Sequence, residues 1–100
     1  MLQAQIFVEK DELHDMKPLY EFIMQFLFNL QLKGATVYQA KSGFKENQKL
    51  YKPDELFSFD EIPMMITFID EEDKVKHALT ELRKLTKEGF IVTHKVEYWQ

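Results

Sequence analysis

A chain of 100 residues, 45% hydrophobic and 30% charged, has the composition of one globular domain rather than of a disordered segment. It has no cysteine, which excludes a disulfide framework, a thiol nucleophile and thiolate metal sites. The formal charge of −4 argues against general nucleic-acid binding, which needs a basic footprint.

No apolar run approaches the ~20 residues that span a bilayer, and the N-terminus MLQAQIFVEKDE lacks a signal-peptide pattern. A soluble, cytoplasmic protein that is not membrane-embedded is expected.

In chain order, LQAQIFV (2–8) alternates, with Leu2, Ala4, Ile6 and Val8 on one face and Gln3, Gln5 and Phe7 on the other. That is a strand. EKDELHDM follows as a polar connection. KPLYEFIMQFLFNLQL carries Leu19, Phe22, Ile23, Phe26, Leu27 and Leu30 at helical spacing. Pro18 suits the first turn and Asp15 a cap, and Gly34 is the expected stop. ATVYQAK (35–41) reads as a second strand and IPMMITFI (62–69) as a third, with Pro63 at its start.

Asp70 is the expected cap of a second helix, EEDKVKHALTELRKLTK, acidic in its first turn and basic in its last. Its apolar stripe is Val75, Ala78, Leu79, Leu82 and Leu85, and Gly89 is expected to close it. FIVTHKVEYW is a fourth strand with an aromatic tail.

The order β-α-β-β-α-β with right-handed crossovers predicts an α+β, ferredoxin-like fold. Both helices then lie on one face of a four-stranded antiparallel sheet, in a single domain over residues 1–100. The third strand is apolar on both faces, with Met65 and Ile69 opposite Met64, Ile66 and Phe68. Phe7, Tyr38 and Ile91 are expected to add to that second face. Scattered surface hydrophobes are normal, but self-association through the open face accounts for more of them at once.

The fold alone does not name a function. RNA-binding modules of this shape need basic and aromatic residues on the central strands, which TFI and QIF do not supply. A small phosphatase would need a glycine-flanked anion loop with an arginine after the first strand. Here that place reads EKDELHD, and Arg83, the only arginine, lies in the second helix. Neither Ser42 nor Ser58 forms a recognisable triad with a histidine and an acid. His77 reads as a surface residue and His94 as a satisfied sheet histidine. Glu9, Asp11, Glu12, His14 and Asp15 are either a solvated loop and helix cap or a cluster for a divalent cation.

The segment between the second and third strands is unusually long and basic. Four lysines against one glutamate give residues 41–52 a surplus of three positive charges within an acidic chain. Gly43 is expected to let the backbone turn and expose N–H groups to an anion, and lysines suit phosphate. Phe44 or Tyr51 either stacks on a base or anchors the loop. The alternative is a plain solvated hairpin with a long tip.

Four stretches, KPLYEFI, KGATVYQAKSGF, EIPMMITFID and EGFIVTHKVE, together resemble the PII-like family catalogued as DUF190, over residues 2–97. The family resembles a branch of the PII signalling superfamily. The resemblance implies a homotrimer with its sheets facing inward. No nucleophile–base arrangement is visible, so no enzymatic activity is expected, nor a cofactor. Residues 43–61 would be a T-loop-like segment reporting ligand state to a partner, such as a membrane transporter or an enzyme. It implies an adenine nucleotide in the clefts between subunits, at the loop base (Lys41, Ser42, Gly43, Phe44) and a facing turn (Lys87, Glu88, Gly89). Lys45 and Lys49 are its phosphate candidates.

The chain departs from the family pattern in two places. Lys45 stands where relatives carry a second glycine, and Glu88 puts an acid in the facing turn. Two other readings stay open: a divalent-metal-binding trimer resembling cation-tolerance proteins, through EKDELHD, and a ligand-free interaction adaptor.

Overall fold

The computed structural model describes residues 1–44 and 62–100. Its elements in chain order are β1 (Leu2–Glu9), β2 (Leu13–His14), β3 (Lys17–Pro18), α1 (Leu19–Asn29), β4 (Thr36–Gln39), β5 (Pro63–Asp70), α2 (Glu72–Leu85) and β6 (Phe90–Lys95). Four strands form one antiparallel sheet in the order β4-β5-β1-β6, and β2 pairs with β3 in a separate small hairpin. This is the expected ferredoxin-like arrangement. Among the described residues no helix is long and apolar enough to cross a membrane.

The core forms where the alternation of the central strands meets the helical stripes. Leu2, Ala4, Ile6 and Val8 of β1 and Met64, Ile66 and Phe68 of β5 are buried against Leu19, Ile23 and Leu27 of α1 and Val75, Ala78 and Leu82 of α2. Each large aliphatic side chain buried this way contributes ~1.5–3 kcal/mol. Leu79 is partly buried and Leu85 is half exposed, so the α2 stripe fades at its last turn.

Local punctuation differs from expectation in several places. The polar connection holds the β2–β3 hairpin, and Asp15 is no cap. Asp15 and Met16 take φ of 50° and 68°, as the two central residues of a tight hairpin turn require. Pro18 occupies the N-cap position of α1, and the Leu19 N–H is satisfied by the Glu12 carbonyl at 2.7 Å. The helix stops at Asn29 rather than at Gly34. Gln31 takes the left-handed conformation, φ 60°, so Leu30 and Leu32 pack on the core from outside the helix.

Asp70 ends β5 and does not cap α2 from the N-cap position, which is Glu71. Its fully buried carboxylate accepts the Glu71 N–H at 2.7 Å and the Lys33 N–H at 2.9 Å, tying the α1–β4 connection to the start of α2. Burial pushes its pKa up. The two backbone donors, with the Lys74 and Lys33 cations, more than offset that and hold it below the ordinary 3.8.

At its other end α2 stops at Leu85, Thr86 is extended, and Gly89 lies at the entry to β6. Ile91 does not join the open face as expected: it pairs with buried Ile6 and packs against the core, so it shares the helix-facing side.

Candidate ligand site

The antiparallel order collects four strand ends at one end of the sheet: the C-termini of β1 and β4 and the N-termini of β5 and β6. The base of the long connection lies there. The Ala40 N–H donates to the Pro63 carbonyl at 2.8 Å, extending the β4–β5 pairing past the strand. Lys41, Ser42 and Phe44 follow, all exposed, with Phe44 at 72%.

Gly43 does not take a positive φ. A Cβ there would meet only Pro63 Cγ, at 3.4 Å, so the backbone does not demand glycine at this point. Lys45 and Lys49 lie outside the described residues, as does most of the 43–61 segment.

The facing turn leads into β6. Gly89 has φ 86°, and a Cβ on it would come within 3.1 Å of Val8 Cγ1, so both conformation and close approach to β1 require glycine. The Glu88 N–H donates to Thr86 Oγ1 at 3.1 Å. Arg83 reaches back from α2, Nη1 donating to the Glu88 carbonyl at 2.8 Å and Nη2 to the Gly89 carbonyl at 2.9 Å. Lys87 is exposed, and among the described residues neither Lys41 nor Lys87 forms an ion pair.

These two groups share an end of the sheet but not an edge. β4 and β6 are its outermost strands, and three strand spacings put them about 14 Å apart. Within one chain, Lys41–Phe44 and Lys87–Gly89 are not brought together.

The acidic loop is turned to local structure. Glu12 Oε1 accepts the Glu9 N–H at 2.7 Å. The His14 ring stacks on Phe22 with centroids 4.0 Å apart and lies 3.6 Å from Asp15 Oδ2. Among the described residues no three histidine, aspartate or glutamate side chains are grouped to hold a metal ion. His77 and His94 are both exposed.

On the sheet face away from the helices, Tyr38, Met65, Phe7 and Phe90 are successive cross-strand partners. They form an apolar row across all four strands. Tyr38, Phe7 and Phe90 are 54%, 40% and 67% exposed, and the Phe7 and Phe90 rings sit 6.2 Å apart.

Residues 1–98 match the family model described as "DUF190: Uncharacterized ACR, COG1993". The chain belongs to the DUF190 family. It is similar to two proteins of Aquifex aeolicus (strain VF5), each named "UPF0166 protein". One is 33% identical over 93 residues, covering 92% of this chain and 87% of the relative. The other is 28% identical over 75 residues, covering 74% and 77%.

Among solved structures this DUF190 chain resembles CPII of Thiomonas intermedia K12, a nitrogen regulatory PII-like protein bound to ADP, AMP and bicarbonate. The TM-score is 0.63 at 22% identity, covering 93% of this chain and 82% of CPII. CPII bound to ADP and bicarbonate gives 0.61 with the same identity and coverage. The fold of this DUF190 protein is therefore PII-like.

Sequence reasoning named Gly89 and Lys87 but passed over Arg83 and Phe90. The usable signal was the single arginine six residues before a glycine.

Proposed function

We propose that this DUF190 protein is a PII-like regulatory homotrimer without catalysis of its own. It senses a small anionic ligand, foremost an adenine nucleotide, in clefts between subunits. It passes that state through its long connection to a partner, a membrane transporter or an enzyme.

The observation that carries this reading is the placement of the loop base and the Lys87–Gly89 turn at one end of the sheet but on opposite edges. In a closed ring, the β4 edge of one subunit faces the β6 edge of the next, and the two half-sites become one cleft. The apolar row Tyr38–Met65–Phe7–Phe90 supplies a face for such a ring to bury. The adenine nucleotides bound by CPII suggest the ligand class, and Lys41, Lys45, Lys49 and Lys87 suit its phosphates as mobile point charges. A connection ordered by occupancy creates a surface absent in the free state, which is how such a switch signals.

Light scattering after size exclusion gives the oligomer, and calorimetric titration with AMP, ADP and ATP gives the ligand. The expected result is a trimer that binds an adenine nucleotide. A Lys45→Ala, Lys49→Ala double variant should keep the trimer and lose affinity, and unchanged affinity would remove the connection from the site. Binding of zinc, copper or manganese in place of any nucleotide would overturn the ligand assignment.

A further inference from the structure

We infer that Arg83 is a positioning residue for the ligand cleft. It holds the Lys87–Gly89 turn in its binding conformation from the end of α2 without touching the ligand. The inference rests on the reading of that turn as half of the cleft.

Arg83 bonds two successive carbonyls with a two-pronged fork, at 2.8 Å to Glu88 and 2.9 Å to Gly89. A planar guanidinium presents two N–H groups in a fixed fork that suits this, whereas an ammonium is a compact charge on a flexible stem without that pre-set geometry. Among the described residues it forms no ion pair, so its described partners are the turn itself.

The fork decides where the donors of the turn point. Peptide bonds here are trans, so with the Glu88 carbonyl drawn to Arg83 the Gly89 N–H is aimed the opposite way. The donors on either side of it, at Glu88 and Phe90, are engaged. The Glu88 N–H is held by Thr86 Oγ1. Met1 and Val96 exchange two hydrogen bonds. Counting along the same register, Phe7 and Phe90 are also a hydrogen-bonded pair.

The Gly89 N–H has no acceptor among the described residues, and the exposed Lys87 lies beside it. Those are a backbone donor and a mobile cation, the pair that a phosphate or carboxylate group accepts. A glycine at φ 86° has wide conformational freedom. Without the fork the turn would sample other states, and a ligand would have to order it on binding.

The test uses the full-length protein with Arg83→Met, which keeps the stem and the helix, and Arg83→Lys, which keeps the charge. Amide hydrogen exchange is read at Glu88 and Gly89 and across β1 and β5, alongside ADP titration and oligomer size. Expected are faster exchange confined to the turn, an unchanged oligomer, and ADP affinity about tenfold weaker in both variants, the cost of ordering roughly one residue of backbone. In Arg83→Ala, added ethylguanidinium should restore part of the affinity.

Full affinity in Arg83→Lys would overturn the inference, since charge alone would then suffice. So would full affinity in Arg83→Met despite faster exchange, or unchanged exchange in both variants. If the wild-type protein binds no adenine nucleotide, the reading of the cleft falls first and this inference with it. Wild-type binding with unaffected variants would sink the inference alone.

Discussion

Replacing Asp70 removes the buried carboxylate that joins the α1–β4 connection to the start of α2. Its two oxygens serve two backbone donors, the Glu71 N–H at 2.7 Å and the Lys33 N–H at 2.9 Å, in a site closed to solvent. A hydrogen bond to a charged acceptor contributes ~1.5–3 kcal/mol. Asp70→Ala leaves both donors facing a gap and should cost about 3–5 kcal/mol, a large share of the ~5–15 kcal/mol of a typical domain. Asp70→Asn keeps one acceptor and turns an amide NH₂ toward the other donor, which should cost about 2 kcal/mol.

The charge adds a pH signature. Because the folded pKa lies below the ordinary 3.8, the carboxylate's contribution is fully present above that value. It is lost as pH falls from there through the lower folded-state value. Urea unfolding of wild type and Asp70→Asn at fixed protein concentration, from neutral pH downward, should therefore show the gap between them narrowing below 3.8. A cost under ~1 kcal/mol for Asp70→Ala would mean that water reaches the two donors, and the reasoning would fail. A gap that does not change with pH would show that charge is not what holds them.

Two further substitutions probe the sheet. Gly89→Ala forces an L-residue into φ 86° and sets its Cβ 3.1 Å from Val8 Cγ1. The left-handed backbone alone costs about 1–2 kcal/mol, and a thermal melt should show a lowered midpoint, whereas an unchanged one would mean the turn relaxes freely. Phe7→Glu puts a charge into the apolar row on the side away from the helices. On size exclusion it should run as a folded monomer with native circular dichroism, and an oligomer unchanged from wild type would place the interface elsewhere.

The elements were legible because their periods are strong. Alternation in β1 and β5 and the 3.6-residue stripe of α1 and α2 each place a continuous apolar face, and burial follows it until the last turn of α2, where Leu85 is half exposed. The ends were less legible, since local signals competed with tertiary ones. Gly34 and Gly89 look like helix stops, yet the chain leaves α1 through Gln31 and leaves α2 at Leu85. Asp70 looks like a cap, but its carboxylate is used across the fold by Lys33 as well as locally. Asp15 and Met16 carry no glycine or asparagine to announce a hairpin turn. The register that puts Ile91 on the inner face is a pairing between strands far apart in the chain, which no local pattern encodes. Lys41, Lys87 and Gly89 could be named from sequence because charge and glycine are visible there. Arg83 could not, because its role depends on the path of the turn it grips.

On the proposed reading, strand order makes ligand binding and assembly one equilibrium. The two half-sites flank a β5–β1 pairing that runs from Leu2 to Glu9, so no fluctuation of one subunit brings Gly43 beside Gly89 while the sheet survives. A ligand that touches both must be held by two copies, and whatever free energy it contributes also favours their association. At a hundred times its dissociation constant that is about 2.7 kcal/mol per site. Phe7→Glu then becomes more than a test of assembly, since it alters no proposed ligand contact and should still abolish nucleotide binding. A monomer that bound nucleotide at full affinity would place the site within one subunit, and the argument from opposite edges would be wrong.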